Sequence, residues 1–201
     1  MAEISIVDKL DCFAEEFKGI SLLGEKITKA EFEDCTFISC DFSETFFSAC
    51  MFIDCHFLNC NLSVMKLTSS KLSNVSFDSC KMIGIDWTMA DWKSLLTAEP
   101  LKFKECILND SNFFGLNLDE LEMKECRARE VDFRNCSLKK SNLSQTDFKG
   151  ALFESTHLEE ANFTDTQNTH INILKNHVQG AIFNRYEALY LLETLGIELV
   201  D

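Results

Sequence analysis

Ten cysteines, four histidines and thirty-three carboxylates are the groups in this chain that could do chemistry. Cysteines in that number could make a disulfide framework or, joined by histidine, a tetrahedral zinc site. Carboxylates paired in a dry pocket could act as general acid and base. The spacing of the cysteines points elsewhere. Cys35, Cys40, Cys50, Cys55, Cys60 and Cys80 differ by multiples of five, as do Cys106, Cys126 and Cys136, and only Cys12 stands apart. Zinc needs four converging ligands, whereas a regular spacing lays them along a wall. Buried thiols acting as small hydrophobes are the favoured reading, ahead of disulfides or metal.

The element that positions these cysteines repeats every five residues. From Ala30 to Trp87 the third place is always large and apolar: Phe32, Phe37, Phe42, Phe47, Phe52, Phe57, Leu62, Leu67, Leu72, Phe77, Met82, Trp87. The first place is mostly small, and nine of the ten cysteines occupy it. A helix buries a face every 3.6 residues and a strand every two, so neither accounts for a strict five.

In chain order, residues 1–16 read as an irregular cap, with a short amphipathic piece around Ile4 to Phe13. Phe17, Leu22 and Ile27 already hold the phase as an atypical first coil. Residues 90–102, which contain the single proline Pro100, interrupt the array. Large residues then return one place out of phase, at Phe103, Leu108, Phe113, Leu118, Met123, Ala128, Phe133, Leu138, Leu143, Phe148, Phe153, Leu158 and Phe163. Ala128 is the one undersized centre, where a local packing gap is expected. After residue 165 the repeats weaken, and residues 184–201 change to helical spacing, with Gly196 placed to end the helix.

A period of five fits an all-β solenoid. If each pentapeptide is one side of a coil, with first and third places inward, four sides close a square of about twenty residues. Coils then stack at about 4.8 Å. Residues twenty apart form ladders: Phe32, Phe52 and Leu72; Phe37, Phe57 and Phe77; Cys40, Cys60 and Cys80. Seven to eight coils make a rod on the order of 35–40 Å long. The C-terminal helix caps one end. Its apolar surplus, in Leu189, Leu191, Leu192, Leu195, Ile197 and Leu199, marks a two-fold dimer interface, with an intrachain cap as the alternative.

Composition limits the partners. Thirty-three acidic residues against nineteen basic ones give a net charge of −14, which disfavours nucleic acid and anionic membrane. The acidic N-terminus lacks the basic and apolar order of a signal peptide, and a cytoplasmic location is expected. There is no Gly-rich phosphate loop and no G-x-S-x-G elbow. His56 and His157 sit in outward second places, and His170 and His177, seven apart in the irregular tail, are read as surface residues. The chain is read as a non-enzyme with no cofactor and no metal.

The array of small or Cys, any, Phe or Leu, any, any covers most of the chain and resembles the pentapeptide-repeat proteins. The KITKAEFEDCTF entry, CKMIGIDWTMADW followed by LKFKECILNDSNFFGL, and the YEALYLLETLGIEL tail resemble a narrower branch. That branch comprises the Qnr fluoroquinolone-resistance proteins and the microcin B17 and albicidin self-resistance proteins. The pattern of interruption is most similar to the albicidin-resistance type. The resemblance implies a right-handed quadrilateral β-helix, dimeric through its C-terminus, with an acidic surface that mimics duplex DNA. It further implies binding to DNA gyrase, with topoisomerase IV as a second candidate, and either protection of the enzyme from a gyrase-poisoning antibiotic or modulation of its response to one. Qnr proteins of Gram-negative bacteria project two loops and this chain shows one interruption, so albicidin fits better than a quinolone.

The outward carboxylates expected to face gyrase are Glu31, Asp34, Asp41, Glu44, Asp54, Asp78 and Asp86, then Glu120, Glu122, Glu125, Glu130, Asp132 and Asp147. Outward positions of any soluble solenoid are polar, so a scaffolding solenoid with a different partner remains the alternative.

Overall fold

The computed structural model describes residues 11–92 and 100–197. Leu199, the core of the interruption at 93–99 and most of the expected amphipathic piece lie outside the described residues. The rest is a β-solenoid of about eight turns followed by one short helix.

Each side of a coil is built the same way. In Thr36–Ile38 the two flanking residues face outward and Phe37 faces in, as the two-residue alternation of a strand requires. Ser39 then takes φ 52° and turns the chain at the corner, so that Cys40 opens the next side. This left-handed fifth place recurs along the array, at Asp34, Glu44, Asn59, Asn74, Gly84, Glu120 and Asn135 among others. Small polar residues and glycine tolerate it best, while the β-branched Val64, at φ 59°, is under local strain there.

Parallel pairing runs in a twenty-residue register, with Phe17 beside Phe37 and Phe37 beside Phe57. Across the interruption the offset becomes twenty-six, with Phe77 beside Phe103, and twenty returns between Phe103 and Met123. The interruption therefore adds six residues to one coil, which produces the one-place phase shift. The neighbouring coils stay in contact, since Asp91 N donates to Ser70 O at 2.8 Å before the chain departs.

Four faces result, each named here by one of its inward phenylalanines. On the Phe37 face, Phe17, Phe37, Phe57, Phe77 and Phe103 stack with ring centroids 4.6–5.2 Å apart. On the Phe47 face the stack is Trp87, Phe113, Phe133 and Phe153. The Phe32 face runs through Cys12, Phe32, Phe52 and Leu72. The Phe42 face carries Leu62, Met82, Leu108, Ala128 and Phe148. Rings on adjacent faces meet edge-on, as Phe32 and Phe37 do at 5.5 Å and 74°. All thirteen expected ladder phenylalanines are buried, and Ala128 is fully buried at its centre.

The solenoid already includes part of the expected 1–16 cap. Asp11–Phe13 is already a strand paired with Glu31–Glu33, and Cys12 fills the central place against Phe32. Residues 11–16 are thus part of the solenoid rather than of an irregular cap. A thiol in a third place escaped notice because every other cysteine holds the first.

The helix runs Arg185–Glu193, started by Asn184, whose side chain accepts from Glu187 N at 2.8 Å. Glu187 in turn accepts from Thr169 N at 2.8 Å and ties the helix to the last coil. Gly196, at φ 71°, turns the chain beyond its end. Leu191 packs on the core, yet no helix residue is buried. Among the described residues no helix is long and apolar enough to cross a membrane.

Candidate functional surface

The inward first place does more than supply a small volume. Thr45 Oγ1 donates to Leu22 O at 2.7 Å, Ser70 to Phe47 O, Thr146 to Met123 O and Thr156 to Phe133 O. The thiols of Cys35, Cys40, Cys50, Cys55, Cys60, Cys80 and Cys106 approach the equivalent carbonyls at 3.3–3.5 Å. Where it holds one of these four hydroxyls or seven cysteines, the slot therefore links one coil to the coil below. All ten cysteines are reduced and buried. Burial pushes the thiols of Cys55 and Cys136 up to about 12. The abundant sulfur is structural.

Outward charge is distributed unevenly over the four faces. Among the described residues, the Phe32 face carries ten carboxylates: Asp11, Glu31, Glu33, Asp34, Asp54, Asp91, Asp119, Glu120, Glu159 and Glu160. Its cations are three, Lys71, Lys139 and Lys140. The opposite balance holds on the Phe47 face, where Glu25, Asp86, Asp132 and Glu154 meet five cations, Lys26, Lys29, Lys66, Arg134 and Lys175. The Phe42 face sets five carboxylates against four basic residues, and the Phe37 face seven against four before the helix.

The thirteen expected gyrase-facing carboxylates are not one surface. Glu31, Asp34, Asp54 and Glu120 lie on the acidic Phe32 face. Asp78, Glu122 and Glu125 lie on the Phe37 face; Asp41, Glu44, Glu130 and Asp147 on the Phe42 face; Asp86 and Asp132 on the Phe47 face. Several of these scattered groups are occupied locally. Arg134 grips Asp132 with two bonds, at 2.7 and 3.0 Å, and holds its carboxyl below the usual range. Burial opposes ionisation of Asp147, but bonds from Asn168 and Arg129 outweigh it and lower its pKa. Ser43 hydrogen bonds lower Asp41, and Lys124 pairs with Glu122 at 2.7 Å. By contrast Glu31, Asp34, Asp54 and Glu120 form no ion pair among the described residues.

Sequence reasoning missed Asp11, Glu33, Asp91, Asp119, Glu159 and Glu160 on the acidic face. The signal was present: adding twenty, or twenty-six across the interruption, sorts outward residues into columns. The same arithmetic brings together His157 and His177, which the seven-residue spacing of His170 and His177 had concealed; their rings stack at 4.3 Å. Beside them Glu159 is held below the usual carboxyl range. Burial opposes this, and its own backbone amide, His157 and Lys139 overcome it.

The expected dimer residues divide in two. Leu189, Leu195 and Ile197 are exposed, as are Tyr186 and Tyr190 beside them, whereas Leu191 and Leu192 are partly covered.

A family model described as pentapeptide repeat region matches residues 30–100 and 96–163. In structure, the chain is similar to a trypsin-treated form of QnrB1, a plasmid-mediated fluoroquinolone resistance protein. The TM-score is 0.72 at 23% identity, over 96% of this chain and 100% of that one. Full-length QnrB1 gives 0.57 at 22% identity, over 93% and 100%. HetL, a pentapeptide repeat protein involved in heterocyst differentiation regulation from the cyanobacterium Nostoc, gives 0.50 at 14% identity, over 86% and 84%. No curated protein matches the chain in sequence at a significant level. At these identities the likeness to solved structures is one of fold.

Proposed function

The chain belongs to the pentapeptide-repeat family, and from that premise we propose that it is a DNA-mimicking protein that binds DNA gyrase and shields it from a gyrase-poisoning antibiotic. The observation that carries this is the charge asymmetry: among the described residues, ten carboxylates and three lysines lie on one long face of a narrow rod. Duplex DNA presents about one charge per 1.7 Å of axis, and a groove built to take it is lined with cations. A rod whose negative charge is gathered on one face offers such a groove a matching edge, and the near-balanced Phe42 and Phe47 faces stay outside it. The rod acts by binding rather than by catalysis, in the cytoplasm. The exposed Leu189, Leu195 and Ile197 support a two-fold dimer through the C-terminal helix, which lengthens the acidic face.

The drug class follows from two likenesses. The shared fold with QnrB1 makes a quinolone the first poison to test, and the interruption pattern makes albicidin the second. The deciding experiment titrates the purified protein into gyrase supercoiling reactions, alone and beside each drug. Rescue of a poisoned reaction, or inhibition of the unpoisoned one, supports the assignment. A folded dimer without effect in any arm would overturn it in favour of a scaffolding role with another partner.

A further inference from the structure

The solenoid brings three metal-competent side chains together at the C-terminal end of the acidic face. His157 and His177 occupy the same outward place on successive coils and are paired in register. Their imidazoles stack with centroids 4.3 Å apart and planes within 8°. Glu159 lies two residues beyond His157 and so projects on the same side of the strand, with its Oε1 3.2 Å from His157 Nδ1. One ligand atom from each of the three falls within 4.8 Å of the others. Glu159 Oε2 is buried and has no hydrogen-bond partner among the described residues. A buried carboxylate oxygen left without a donor is costly unless something outside the chain satisfies it.

We propose that His157, His177 and Glu159 form a binding site for a divalent transition-metal ion of the zinc class. Two imidazole nitrogens and one carboxylate oxygen suit zinc and its neighbours, and disfavour calcium and magnesium, which prefer all-oxygen sets. Zinc bonds of about 2.1 Å place tetrahedral ligands about 3.4 Å apart, so side-chain torsions alone close the cluster. The fourth position opens to solvent, since His177 is exposed. Lys139, whose Nζ is 3.4 Å from Glu159 Oε1, is displaced when the metal enters. The ion clips the two coils that carry the histidines, just below the helix that caps the rod. This site is independent of the gyrase assignment.

The test uses the full-length, tag-free protein after chelator treatment. Zinc affinity is measured by competition with a chromophoric chelator, and cobalt(II) is added as a spectroscopic probe. One zinc per chain is expected, with a higher melting temperature and cobalt bands typical of nitrogen and oxygen ligands. His157→Gln and His177→Gln each weaken binding at least about tenfold. His56→Gln, in an outward place on another face, leaves it unchanged. Circular dichroism of the metal-free variants checks that the coils persist. Absence of stoichiometric binding, binding unaffected by both histidine substitutions, or intense cobalt–thiolate charge-transfer bands would each overturn the site.

Discussion

The hydroxyl of Thr146 lies 3.2 Å from the amide nitrogen of Cys126, one coil below, and accepts its hydrogen bond. The same hydroxyl donates to Met123 O at 3.0 Å. One small side chain thereby satisfies two buried backbone groups between coils. Thr146→Val keeps the shape and removes both bonds, so it should destabilise the rod by about 1–3 kcal/mol in chemical denaturation. Thr146→Cys keeps a donor of the kind the array uses elsewhere and should cost less than about 1 kcal/mol. Equal losses for the two variants would reduce the slot to a matter of volume.

The thiols should be chemically silent. All ten are buried out of reach of a reagent, and Cys55 and Cys136, raised to about 12, carry almost no thiolate at pH 8. Ellman's reagent should titrate none of them within minutes in the native protein and all of them in guanidinium chloride. Rapid native reaction of several thiols would contradict the packing described.

The phenylalanine ladders should carry much of the stability. Phe57 is clamped between Phe37 at 4.6 Å and Phe77 at 5.1 Å. Phe57→Ala should cost about 3–5 kcal/mol. Phe46, off the inward register and 40% exposed, is a matched control. Its contact with the Lys66 ammonium, 4.4 Å from the ring centroid, contributes about 0.5–1 kcal/mol, and Phe46→Ala should lose no more than that order. Similar losses at the two positions would undermine the assignment of ladder positions.

The coil was legible in the sequence because a closed square of pentapeptides admits only one inward phase, and Phe32 to Phe163 state that phase repeatedly. The one-place shift of phase across the interruption was legible for the same reason, whereas the excess of six residues is fixed only by the pairing of Phe77 with Phe103. What stayed hidden depends on the stacking of coils rather than on position within a pentapeptide. Asp34 and Glu44 hold the same fifth place, yet one lies on the acidic face and the other on the Phe42 face. His157 and His177 are distant in sequence and adjacent in space because a coil is twenty residues long. The donor role of Cys40 or Thr45 was hidden by a chemical habit, the treatment of cysteine as a plain hydrophobe.

The C-terminal helix should govern assembly without governing the fold. Leu189 and Leu195 are each 43% exposed, so replacing both by Glu removes little intrachain packing. Light scattering should show a dimer for the parent chain and a monomer for Leu189→Glu/Leu195→Glu, with melting temperatures within a few degrees at equal protein concentration. A parent chain that is monomeric at micromolar concentration would dismiss the interface, as would a doubly substituted chain that stays dimeric.

Charge reversal on one face should separate mimicry from general acidity. Asp34, Asp54 and Glu120 occupy left-handed fifth places on the Phe32 face, at φ 53°, 53° and 63°. Glu44, Glu125 and Glu130 occupy the same backbone place on other faces, at φ 58°, 55° and 55°. Lysine already sits in this conformation at Lys29 and Lys140, so replacing either trio by Lys leaves the backbone undisturbed. Both triple variants change net charge equally, and only one alters the acidic face. At low ionic strength the Asp34/Asp54/Glu120 variant should lose at least about tenfold in gyrase affinity, chiefly through a slower on-rate, while the control trio loses less than about threefold. Added salt should narrow the gap, because screening beyond about 10 Å at 0.1 M weakens the steering that the face provides. Equal losses in the two variants would mean that gyrase responds to net charge alone, and the ordered acidic face would then have no part in recognition.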